Sequence, residues 1–91
     1  MKMKRLPEIG ERVRYRSRTE WWDRECSGTV RKIYEGYYGN GRACPVGARS
    51  WTEHWSAGVE VDSPLPEWWP YPNTNRFAPA ISNLTALAKG E

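Results

Sequence analysis

The amino-acid sequence predicts an all-β fold, a single small barrel of about five strands with a long Gly-rich loop and a C-terminal 3-10 or helical turn. Three observations predict it. Apolar and charged residues alternate at period two in short runs, the pattern of strands buried on one face. Gly, Pro and Asn cluster between those runs as turn signals, and only brief stretches have helical spacing. The chain has 91 residues, too few to divide its apolar surface between two cores, so residues 1–91 are expected to form one domain. Within it, residues 9–36 hold the first two strands, 37–56 a loop excursion, and 57–87 the last strands and closing turn. Residues 1–6 and 88–91 read as tails.

The first strand signal covers residues 9–18. Val13 and Tyr15 alternate there with Arg12, Arg14, Arg16 and Arg18. Successive strand side chains point to opposite sides, so the apolar pair faces the core and the four arginines share the outer face. Residues 19–24 set Trp21 and Trp22 among charged residues, as a loop or a flared hairpin end. In residues 25–34, Cys26, Gly28 and Val30 fall on one parity and Ile33 on the other. The slip at Arg31 and Lys32 predicts a bulge or strong bend, which re-aims a strand as small barrels require. Gly28 fits a site where another strand approaches closely.

Residues 36–48 contain Gly36, Gly39, Gly41, Gly47, Pro45 and the turn pair Asn40 and Gly41, a long loop or hairpin excursion. Residues 50–55 read either as a helical turn, with Trp51 and Trp55 on one face, or as a strand edge. Residues 57–62 alternate again, Val59 and Val61 inward, Glu60 and Asp62 outward and across from the arginines. Pro64, Pro66, Pro70 and Pro72 surround Trp68, Trp69 and Tyr71, which forbids helix and favours extended, polyproline-like backbone. Phe77 anchors a short strand that Pro79 confines to an edge. Ile81, Leu84 and Leu87 recur at spacing three, a turn closing one barrel end.

Six Trp, five Tyr and one Phe stand beside few aliphatic residues. Each ring buries about 150–250 Å², so the core is expected to be built largely from aromatics, and disorder is excluded by composition. No apolar run approaches a membrane span, and Met1 to Arg5 lacks the apolar run of a signal peptide, so a cytoplasmic protein without membrane contact is expected. The net charge is +3, but residues 1–32 carry ten Lys or Arg against five Asp or Glu. Such a face attracts phosphate or an acidic protein surface, or else solvates a small domain. Cys26 and Cys44 allow one disulfide or two thiols, and reduced thiols are expected. Their spacing to each other and to His54 matches no zinc pattern, so neither metal nor cofactor is expected. A single His and no Gly-rich phosphate loop leave no catalytic motif.

In order, the segments GERVRYRS, CSGTVRKIYEG, AGVEVD and RFAPAISNL resemble an SH3-like small barrel, a fold shared by KOW and Tudor-like nucleic-acid binders and by peptide binders. Gly10 to Arg14 is also similar to the opening of the type II dihydrofolate reductases. That family works through an oligomeric pore lined by a Val-Gln-Ile-Tyr run. The corresponding stretch here is Arg76, Phe77, Ala78 and Pro79, without the Gln and Tyr, so the resemblance implies the architecture and not the reductase activity.

Two binding functions follow as expectations. In the first, Arg12, Arg14, Arg16 and Arg18, aided by Arg31 and Lys32, contact nucleic-acid phosphate. Trp21, Trp22, Tyr37 and Tyr38 would then stack on bases for about 1–3 kcal/mol each. In the second, Trp51, Trp55, Trp68 and Trp69, with Trp21 and Trp22, line a groove for a protein segment, or the Pro-rich stretch covers the barrel from within. The basic first third favours nucleic acid.

Overall fold

Strands β1 (Arg12–Arg18) and β2 (Asp23–Tyr34) pair as an antiparallel hairpin in the computed structural model, which describes residues 3–87. The alternation sets the register: Val13 lies opposite Gly28 and Tyr15 opposite Cys26, with Val13 and Val30 fully buried. Helix α1 (Trp51–His54) is a single turn, followed directly by β3 (Ser56–Val61), whose Ala57, Val59 and Val61 point inward. β4 (Arg76–Phe77) adds to the far side of β3, and β5 (Leu84–Ala86) to the free side of β1. A 3-10 turn, Ile81–Asn83, joins β4 to β5.

The result is one five-stranded antiparallel sheet in the order β4-β3-β2-β1-β5. It is open where a closed barrel was expected, because the edge strands β4 and β5 do not pair with each other. It is nevertheless strongly curled. β1 and β4 are three places apart, about 14 Å in a flat sheet, yet the Tyr15 and Phe77 rings meet edge-to-face with centroids 4.9 Å apart. The bend has its source in β2, where the pairing with β3 shifts between Val30 and Lys32, the position of the parity slip.

The core differs from expectation in composition. Val13, Val30, Val59, Ile81 and Leu84 fill its centre, joined by Met3, Cys44 and Ala57, and among the described residues Trp51 is the one buried ring. Tyr15, Tyr38, Trp55 and Phe77 pack around this centre, partly buried. Tyr15, Tyr38 and Trp55 carry polar tips suited to that rim, and the few aliphatics, which carry no polar atoms, take the middle. Met3 lies in the segment read as a tail, but its amide donates to the Leu84 carbonyl at 3.1 Å and its side chain is buried. Ile9, by contrast, is exposed, since β1 begins only at Arg12. Residues 1, 2 and 88–91 of the expected tails lie outside the described residues.

Glu60 and Asp62 do lie across from the basic residues. Arg12 Nη1 donates to Asp62 Oδ1 at 2.7 Å in a two-pronged pair, and Arg5 Nη1 and Nη2 donate to the two carboxylate oxygens of Glu11 at 2.9 and 2.7 Å. These donors hold Asp62 and Glu11 below their ordinary values of 3.8 and 4.5. Carboxyls depressed in the folded state stabilise it above their unfolded values and lose that contribution as pH falls through the folded ones. Thermal stability is therefore expected to hold from neutral pH to about 5 and to decline below about 4. Partial exposure limits the Arg12–Asp62 pair to about 1 kcal/mol. Melting curves at decreasing pH, repeated with Asp62→Asn, check this: the variant should lose less stability on acidification.

Candidate functional site

The outer face of β1 does present the arginine stripe, but the sheet supplies it with counter-charges. Arg12 is held by Asp62. Arg14 Nε lies 3.7 Å from Glu25, Arg16 Nη2 lies 4.0 Å from Asp23, and Arg18 Nε donates to Asp23 at 3.0 Å. The register explains it, since Glu25 sits opposite Arg16 and Asp23 opposite Arg18. Arg31 and Lys32 belong to β2 and not to the β1 stripe, Arg31 in the bulge and Lys32 one residue past it. Arg31 Nη2 lies 3.4 Å from Glu60, and the Lys32 ammonium sits 5.0 Å above the Tyr34 ring centre. The six cations of the expected phosphate surface are therefore two groups, each partly neutralised.

The tryptophans also separate. Trp51 and Trp55, expected to offer rings to a partner, instead tie α1 to the core. Trp51 is 7% exposed and meets Trp55 edge-to-face, and Trp55 Nε1 donates to the Cys44 carbonyl at 2.7 Å. Such burial follows from the shortage of aliphatic side chains around a one-turn helix. Tyr38, considered for base stacking, is partly buried against the core and the His54 ring. Tyr37 is exposed on the excursion, where residues 37 and 43 bridge.

The other four tryptophans converge at one end of the sheet. Thr19 shapes the tip of the β1–β2 hairpin: its hydroxyl oxygen accepts the amides of Trp21 and Trp22 at 3.3 and 3.2 Å, and its own amide donates to the Trp22 carbonyl. This closed turn turns both indoles outward, Trp21 81% and Trp22 52% exposed. The proline-rich stretch comes back against the same end. Trp68 Nε1 donates to the Glu25 carbonyl at 3.2 Å, and Trp69 Nε1 to the Thr74 carbonyl at 2.9 Å.

Arg24 joins the two parts. Its guanidinium carbon lies 5.0 Å from the Trp22 ring centre and 5.8 Å from that of Trp68, so one cation spans two indoles from different segments. From Trp68 the rings continue without a break: Tyr15 at 6.0 Å and Trp69 at 5.7 Å, then Tyr71 and Phe77 at 5.3 and 5.1 Å from Trp69. Trp68 and Trp69 thus cover part of the curled sheet, while Trp21, Trp22 and Tyr71 stay open to solvent. Arg24 is not among the site residues expected from the sequence. Its signal was parity, because Arg24 shares the face of Cys26 and Gly28, and a guanidinium on an inward face needs a partner such as a ring.

The thiols are free, Cys44 buried and Cys26 half-buried. Burial, with Asp62 and Glu25 nearby, pushes the Cys26 thiol up to about 11, which keeps it protonated and unreactive. Among the described residues no three His, Cys, Asp or Glu side chains gather as a metal site, and no helix is long and apolar enough to cross a membrane. Neither a protein-family model, nor a curated protein, nor a solved structure matches the chain.

Proposed function

We propose that the protein is a non-catalytic binding module built on an SH3-like, partly open barrel, and that it receives an extended, proline-containing segment of another protein on the ring surface around Trp22, Arg24 and Trp68. The SH3-like reading is supported by the strand order β4-β3-β2-β1-β5, by the long bulged β2, and by the 3-10 turn between β4 and β5. The observation that carries the binding reading is the Arg24 guanidinium spanning Trp22 and Trp68, continuous with Tyr15, Trp69 and Tyr71. An aromatic surface of this kind suits a polyproline-like segment, whose stiff backbone loses little entropy on docking.

Charge favours a protein segment over a nucleic acid, reversing the preference drawn from the basic first third. Arg12, Arg14, Arg16 and Arg18 already face Asp62, Glu25 and Asp23. The hairpin tip carries Arg18 and Arg24 against Glu20 and Asp23, and so offers a polyanion no net attraction.

Titration of the protein's tryptophan fluorescence with an oligoproline peptide, and in parallel with oligothymidylate at low salt, tests the proposal. The peptide is expected to bind, and Trp22→Ala to weaken it about tenfold or more, as for an aromatic anchor at an interface centre. The melting temperature of that variant should be nearly unchanged. Binding of oligothymidylate alone, falling steeply with added salt, overturns the proposal in favour of phosphate contacts.

A further inference from the structure

Away from the ring surface, the outer face of β2, β3 and β4 holds a cleft of about 290 Å³. Its floor is Gly58 on β3, between Lys32 and Tyr34 of β2 on one side and β4 with the following Ala78 on the other. The floor is open because Gly58 has no side chain. A Cβ there would lie 3.3 Å from Lys32 Cβ and 3.4 Å from the Tyr34 ring, filling the bottom of the cleft.

The rim is cationic. Arg31, which the bulge leaves unpaired in the ladder, stands with Lys32 and Arg76 against a single carboxylate, Glu60. Glu60 lies between the two guanidiniums, accepting from Arg76 Nη2 at 3.0 Å and from Arg31 Nη2 at 3.4 Å. It holds both arginines in place but balances the charge of only one. Lys32 has no carboxylate within ion-pair distance among the described residues, and its ammonium rests on the Tyr34 ring, which is 42% exposed. The cleft therefore combines an excess of two positive charges with an accessible aromatic wall. Phe77 marks the boundary with the other surface, because its ring turns inward to Tyr15 and Trp69.

We propose that this cleft binds a nucleotide, with its phosphate on Lys32 and the Arg31–Arg76 pair and its base against Tyr34. Guanidinium forks match phosphate oxygens in geometry, and a lysine on a flexible stem can leave its ring for an anion. The volume lies at the lower end of the roughly 300–1,000 Å³ of small-molecule sites, which suits one nucleotide and is too small for a dinucleotide cofactor. The same unit, a base with a phosphate, is presented by a free mononucleotide and by the 5′-phosphorylated end of a single strand. The site shares no argument with the peptide-binding proposal and stands or falls separately.

Amide chemical shifts of the full chain, titrated with AMP, with inorganic phosphate and with 5′-phosphorylated pentathymidylate, test it. AMP is expected to shift Lys32, Tyr34, Gly58 and Phe77 and to bind roughly fivefold or more tighter than phosphate, the margin supplied by stacking. Lys32→Gln should weaken AMP about tenfold, the loss of one charge-assisted contact. Tyr34→Leu should remove the margin over phosphate. Both side chains are exposed, so the folded state of each variant is checked by its amide spectrum. Tighter binding of the pentamer assigns a strand end as the source, and equal or weaker binding a free nucleotide. No shifts up to about 10 mM AMP, equal affinity for AMP and phosphate, or shifts centred on Arg14, Arg16 and Arg18 instead, overturn the proposal.

Discussion

Trp51→Ala is expected to destabilise the protein by about 3–5 kcal/mol, the usual cost of emptying a large ring from a core. In a domain of this size that corresponds to a fall of roughly 15–30 °C in melting temperature, enough to leave the variant partly unfolded at physiological temperature. The size of the effect follows from position. Trp51 is the buried ring among the described residues, it fixes a helix of one turn that has no side-chain cap, and it packs on Trp55, whose indole holds the Cys44 carbonyl. Trp21→Ala, at a ring 81% exposed, should change stability by less than about 0.5 kcal/mol. Thermal melts of the two variants side by side check the contrast. Similar melting temperatures would mean that Trp51 does not carry the core.

Gly28→Ala should be the most costly single-carbon addition to the sheet. The new methyl would meet the Glu60 carbonyl oxygen and, at 2.7 Å, Val59 Cγ1. One is backbone and the other a β-branched core side chain, so neither can swing aside. β2 and β3 would have to part where Gly28 lies opposite Val61, next to the buried Val30–Val59 pair at the centre of the core. Overpacking of this kind costs about 1–3 kcal/mol, and the rigid neighbours place the expected value at the upper end. Gly39→Ala, where nothing lies within 4 Å, should be close to neutral. Urea unfolding of the pair measures it, and an unperturbed Gly28→Ala would contradict the close strand approach.

Much of this was legible in the residues. Period-two alternation placed β1, β2 and β3, the parity break placed the bulge within a residue, and Gly28 announced the close strand. Pro79 confined β4 to an edge, and the spacing of Ile81, Leu84 and Leu87 marked a turn of which only Ile81–Asn83 forms, since Leu84–Ala86 pair with β1 as strand β5. What escaped were pairings between segments distant in sequence. Alternation already set Asp62 across from the arginine stripe, but Glu25 and Asp23, the partners of Arg14, Arg16 and Arg18, reach it only through strand register. The six tryptophans looked alike because composition does not say which ring a fold will bury. Arg24 was hidden in a run of charged residues, and its role needs both the hairpin tip and the proline-rich stretch, 44 positions from Arg24 to Trp68, to come together. Met3 was passed over because its pairing with Leu84 joins the two ends of the described chain.

On the proposed function, the exposed rings at one end of the sheet, and not the arginine stripe, form the binding surface. The indole Nε1–H resonances of the six tryptophans test it most directly, since each reports its own position. On addition of an oligoproline peptide, shifts are expected at Trp22 and Trp68, smaller ones at Trp21 and Trp69, and none at Trp51 and Trp55. Six unmoved indoles, or shifts at Trp51 and Trp55 with Trp22 and Trp68 unchanged, would contradict it.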